Sequence, residues 1–132
     1  MLIVFFLFKI INSKQKTIQI EEEPEIVIKK EYGIVVNNYD FQKLKIQSGE
    51  TFSDIFDRYR ISPIMVDKIQ RYIVNNDIFD FRNIRAGNNY AVFSTKDSLS
   101  RGEIFIYEIN YVDYILFDFR DSLNVSLMQK EV

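Results

Sequence analysis

Apolar and polar positions change period along this chain, and each period predicts an element. Phe41, Leu44 and Ile46 lie in a strand that ends at Gln47-Ser48-Gly49-Glu50, where Gly49 marks a turn. Phe52, Ile55, Phe56 and Tyr59 then recur at helical spacing and share one face. Thr51 in front of them reads as the N-cap, with Asp54 placed to complete a capping box. Ser62-Pro63 restarts the chain, serine as cap and proline at the first helical position, where a missing N–H leaves no bond unmade. Ile64, Met65, Ile69, Tyr72 and Ile73 make the apolar stripe of a second helix, which Asn75-Asn76-Asp77 ends. After Arg85-Ala86-Gly87-Asn88, the segment Tyr90 to Phe93 reads as a returning strand. The predicted order is strand, helix, helix, strand.

The last third changes character. Ile104 to Ile109, Val112 to Phe119 and Leu123 to Met128 are three strand candidates separated by turn residues. Leu123, Val125 and Leu127 alternate with Asn124, Ser126 and Met128, as in a half-buried strand. Val112 to Phe119 is apolar on both sides: Tyr114 and Leu116 point one way, Ile115, Phe117 and Phe119 the other. Such a strand needs cover on both faces. The helix pair supplies one cover. The other comes from further chain beyond this sequence, or the small sheet packs tightly by itself. The expected class is therefore α+β: a β-α-α-β unit, then an antiparallel β-meander that continues in a further domain.

Ahead of these elements the chain is apolar from Leu2 to Phe8, followed by Lys9, Ile10 and Ile11. A membrane-crossing helix needs ~20 apolar residues, so the run is too short to span. It has the length of a signal-peptide core, although no basic residue precedes it and no small-residue cleavage site follows. The reading is a signal or membrane anchor; a buried strand or helix is the alternative. Asn12 to Glu31, with Lys14, Lys16, Glu21, Glu22, Glu23 and Glu25 around Pro24, reads as a solvated tether, and Ile26 to Ile28 as a short edge strand. The expected division is 1–31 for anchor and linker, 32–95 for the helical unit and 96–132 for the meander, as a second domain's start or an extension of the sheet.

Composition narrows the chemistry. The apolar share of 47%, with 12 Phe and 8 Tyr, excludes a disordered chain. A net charge of −2 from 17 basic and 19 acidic residues gives no footprint for nucleic acid. There is no Cys, hence no disulfide framework. There is also no His. That removes the usual general base at neutral pH, the Ser-His and Cys-His nucleophilic pairs, and ordinary zinc sites. Paired carboxylates could still hydrolyse glycosides. Glu103, Glu108, Asp113, Asp118 and Asp121 all lie near strand ends, however, and read as solvated turn residues. A calcium loop at Asn75 to Asp80 would lack its glycine and its terminal glutamate. No catalytic residue, metal ligand or cofactor is expected in this chain.

Ser48 to Ser62 (SGETFSDIFDRYRIS) resembles the opening of a LysM module, and Asn83 to Phe93 (NIRAGNNYAVF) resembles its closing turn and strand. The long second helix and the segment Asp77 to Gly87 differ from a plain LysM. They are similar to the divergent LysM-like domain at the front of lysostaphin-type peptidoglycan zinc metallopeptidases of the murein endopeptidase kind, in which a meander like Val112 to Leu123 follows. The resemblance runs from Tyr32 to Val132. It implies the non-catalytic N-terminal region of a cell-wall metallopeptidase. The family's zinc is held by His-x-x-x-Asp and His-x-His elements, which would lie in a domain downstream of Val132.

The resemblance also implies a glycan groove between two turns. On matching positions these are Gly49, Glu50, Thr51 and Phe52 for the first, and Ile84, Arg85, Ala86 and Gly87 for the second. Each also has a plain structural job: glycine for the turn, threonine as cap, Phe52 in the core. The implied partners are peptidoglycan glycan strands or the protein's own downstream catalytic domain, whose cleft such a leading region can cover, with the membrane reached through the N-terminal apolar segment. The implied location is the periplasmic side of the bacterial cell envelope, tethered or secreted. The competing reading is a membrane-anchored envelope scaffold that binds protein rather than glycan.

Overall fold

The structure, a computed structural model, describes residues 25–131. The apolar run Leu2 to Ile11 and the linker through Pro24 lie outside the described residues. A two-stranded hairpin, β1 (Lys30–Glu31) and β2 (Ile34–Val35), is followed by β3 (Tyr39–Lys45), α1 (Phe52–Arg58) and α2 (Pro63–Asn75). A 3₁₀ turn (Phe81–Asn83) leads to β4 (Asn89–Thr95), β5 (Gly102–Glu108), β6 (Asp113–Asp118) and β7 (Asn124–Gln129). Strands β3 to β7 form one antiparallel sheet in sequential order. The chain is thus a mixed α and β fold, and the meander extends the sheet that β3 and β4 begin.

The helices start where their side chains satisfy the free backbone N–H groups. The Thr51 hydroxyl accepts from the Asp54 amide at 3.2 Å, and the Asp54 carboxylate accepts from the Thr51 amide at 3.0 Å, a complete capping box. Ser62 Oγ accepts from the Met65 amide, with Pro63 opening α2. Phe52, Ile55 and Phe56 of α1 are buried, as are Ile69 and Ile73 of α2. Ile64 does not belong to the stripe: it is 73% exposed. It precedes Ile69 by five residues, which turns it about 140° away around the helix. The apolar stripe begins at Met65.

Two cores flank the sheet. On the helix side, Phe52 and Phe56 pack with Tyr90, Val92, Phe105, Tyr107, Ile115 and Phe117. On the other side Tyr114 joins Ala91, Phe93, Ile104 and Ile106. Strand β6 therefore divides as its pattern predicts. The back face carries the chain's own hairpin, so part of the cover expected from further chain is supplied from within: Tyr32, Ile34 and Val36 pack against that second core. The hairpin turns through Tyr32 (φ 53°) and Gly33 (φ 76°), the two left-handed positions that a tight two-residue turn requires. Tyrosine is strained there. Its ring is held edge-on to Tyr114 at 5.2 Å and its hydroxyl donates to Glu108 at 2.7 Å. Ile26, Val27 and Ile28 form no strand and are exposed, so the predicted edge strand is replaced by the hairpin that follows them.

Candidate functional site

The two turns singled out by the sequence meet at one end of the sheet. Beyond β3, the Ile46 amide donates to the Asn88 carbonyl at 2.9 Å and the Gly87 amide donates to the Ile46 carbonyl at 2.8 Å. Ile46 lies just before the first corner, so this pairing sets Gly49 and Gly87 on the same pole. Both glycines are in the left-handed region, at φ 79° and 90°.

The first corner is braced from within. The Glu50 amide donates to the Gln47 carbonyl, and the Glu50 carboxylate accepts from the Gln47 amide at 3.0 Å. Its other oxygen pairs with Arg58 at 2.7 Å, and Arg58 also donates to the Tyr90 hydroxyl. Burial pushes the Glu50 carboxyl up, but the Gln47 amide and the Arg58 guanidinium outweigh it and hold it below the usual carboxylate value. Glu50 is thus an ionised structural anchor. Phe52 is only 3% exposed, with ring centroids of Phe81 at 4.7 Å, Tyr107 at 5.1 Å and Phe117 at 5.7 Å. Its ring faces the core, so no sugar can stack on it. Gly49 and Thr51 are exposed at this corner.

At the second corner Ile84 packs against the core, while Arg85, Ala86 and Gly87 are exposed. The Tyr107 hydroxyl accepts from the Arg85 amide at 3.0 Å and from Asn88 Nδ2 at 3.1 Å. Asn88 Nδ2 also lies 3.2 Å from the Glu108 carbonyl and 3.3 Å from that of Ile109. This side chain fastens the second corner to the β5–β6 turn. Between them opens a cleft of about 370 Å³, bordered by Lys45, Gly87, Asn88 and Asn89 on one side and Ile109 to Tyr111 on the other. The first corner is not part of its wall. Tyr111, a residue that the sequence patterns do not mark, lines the same cleft as Gly87.

Glu108 also lines this cleft and departs from its expected role. It is buried, not solvated. Its carboxylate accepts from Tyr32 at 2.7 Å and Asn89 at 3.2 Å, and pairs with Lys130 at 2.8 Å and Lys43 at 3.8 Å. Burial raises its pKa, but the bonds from Lys130, Tyr32 and Asn89 prevail and leave it below the ordinary carboxylate value. Burial, then the same carboxylate, push the Tyr32 hydroxyl up, which keeps it a donor. The cluster ties the hairpin, β3, β4, β5 and the end of the chain together. Its one carboxylate is bonded by every polar partner around it, two lysines included, so it reads as a clasp.

Asp113 is bonded to Asn110 and Gln129, and Asp118 is paired with Arg120 at 2.8 Å. Among the described residues no group of three or more carboxylates is placed to hold a metal ion, and no helix is long and apolar enough to cross a membrane. Comparison of the chain with models of protein families, with characterised proteins and with solved structures finds no match.

Proposed function

We propose that this chain is a non-catalytic peptidoglycan-binding region, the leading part of a cell-wall zinc endopeptidase, and that it holds glycan strands at the pole where its two glycine corners meet. The reading rests on the motif resemblance together with one observation. Ile46 bonds to Gly87 and Asn88, which brings both corners to one end of the sheet beside a polar cleft. Exposed turn backbone and amide side chains supply the donors and acceptors that acetamido and hydroxyl groups need. The acidic groups near the pole serve internal bonds, Glu50 to Arg58 and Glu108 to Lys130, which favours holding over cutting.

The test is a pull-down of the purified chain on peptidoglycan sacculi. Retention that soluble N-acetylglucosamine oligomers release supports the proposal; a chain left in the supernatant contradicts it. A second reading, a surface that covers the enzyme's own catalytic cleft or docks an envelope protein, is favoured by a different feature. A groove of about 620 Å³ runs between the hairpin and β7, with Tyr32, Tyr114, Leu116 and Met128 in its wall. Retention that the oligomers do not release would favour that reading.

A further inference from the structure

We propose that the cleft between Gly87 and the β5–β6 turn is the sugar subsite, and that Tyr111 is the aromatic platform on which an N-acetylated sugar ring lies. The inference rests on the wall-glycan reading above and moves the aromatic contact from Phe52, whose ring is enclosed, to a residue outside both corners.

Tyr111 is 96% exposed, yet the turn that carries it is tightly built. Asn110 Oδ1 accepts from the amides of Val112 at 2.8 Å and Asp113 at 2.7 Å, and Asn110 Nδ2 donates to the Asp113 carboxylate at 3.0 Å. The Ile109 amide donates to the Asp113 carbonyl at 2.9 Å, and the Lys130 amide to the Val112 carbonyl at 2.8 Å. A single exposed aromatic needs no explanation. One carried at the apex of a braced turn, beside a cleft, offers a flat apolar face from a fixed backbone position, and a tyrosine ring has only two side-chain rotations to lose on binding.

The opposite wall supplies matching polar groups. Asn88 and Asn89 spend their Nδ2 atoms on internal bonds, but their Oδ1 atoms accept no hydrogen bond among the described residues. They are positioned as acceptors for a sugar amide N–H or hydroxyl. Lys45 has no ion pair among the described residues and can donate to an acetamido carbonyl. An acetamido sugar needs this combination of acceptor, donor and apolar plate. The cleft volume lies at the low end of the ~300–1,000 Å³ typical of small-molecule sites, the scale of a short oligosaccharide.

The experiment is a calorimetric titration of the full chain with an N-acetylglucosamine oligomer, and with the matching glucose oligomer that lacks acetamido groups. Wild type, Tyr111→Phe and Tyr111→Ala are compared, with urea midpoints confirming that all three are folded. Tyr111→Ala is expected to weaken binding about tenfold, the size of one lost aromatic contact, while Tyr111→Phe binds as wild type does. The glucose oligomer is expected to bind more weakly than the acetylated one. If Tyr111→Ala binds like wild type, the subsite is refuted while the wall-glycan reading stands. If the wild type itself binds neither oligomer nor sacculi, that reading fails and the subsite with it.

Discussion

Replacing Phe52 by alanine should unfold the helix side of the molecule rather than blunt a binding surface. The ring is 3% exposed and meets five other aromatic rings, with centroids between 4.7 Å at Phe81 and 6.4 Å at Phe79. Burying such a side chain contributes ~1.5–3 kcal/mol through removal of its surface from water. The cavity left behind adds to the loss, which brings a Phe→Ala change in a core to ~3–5 kcal/mol. The upper half of that range applies here, because the surrounding rings sit on α1, the 3₁₀ turn and the loop before it, β5 and β6 and cannot all collapse inward. For a domain near this size, that is a fall in melting temperature of roughly 10–25 °C. Urea unfolding is the assay, with an unchanged slope certifying a pure stability effect. Phe52→Leu, which fills most of the space, should retain the larger part of the stability and keeps the test readable if the alanine variant does not fold. A Phe52→Ala protein with a wild-type midpoint would refute the core assignment and return Phe52 to the surface.

Other outcomes follow from the same packing and charges. Gly102→Ala should cost ~1–3 kcal/mol in urea unfolding, because an added Cβ would meet ring carbons of Phe105 at 2.6 Å and Tyr59 Cβ at 3.1 Å; a loss below ~0.5 kcal/mol would contradict the close approach of α1 to β5 at that point. The folded pKa of Glu108 lies below its unfolded value of 4.5, so its contribution is present above that value and is lost as pH falls through the folded one. Melting temperatures taken from ~pH 6 down to ~pH 3 should therefore drop less steeply for Glu108→Gln than for wild type, while equal slopes would show that the clasp adds no stability. The gene should continue past Val132 with His-x-x-x-Asp and then His-x-His; a stop codon directly after that valine would remove the metallopeptidase from the proposal.

Much of the architecture was legible because it follows from local chemistry. Thr51 with Asp54, and Ser62 with Pro63, mark helix starts through hydrogen bonds made within a few residues. The spacing of Phe52, Ile55 and Phe56 already placed Phe52 on the core face, and its burial agrees with that spacing. The two-sided pattern of β6 correctly required cover on both faces. What the pattern could not show was the source of the second cover, since β1 and β2 have two residues each, too few to display a period. Glu108 was misread for a related reason: its partners Tyr32 and Lys130 are remote in sequence, and only the folded sheet brings them to it. Tyr111 carries no periodic signal either, because its significance comes from the Asn88 bridge that sets the second glycine corner beside its turn.

The most direct measurement is a two-dimensional amide NMR titration of the isotopically labelled chain with an N-acetylglucosamine oligomer. The account predicts that shifts concentrate on Lys45, Gly87 to Asn89 and Asn110 to Val112, reach Gly49 to Thr51 at the neighbouring corner, and leave β7 and the hairpin untouched. A spectrum that does not change, or one whose changes fall on the groove beside Met128, would contradict it.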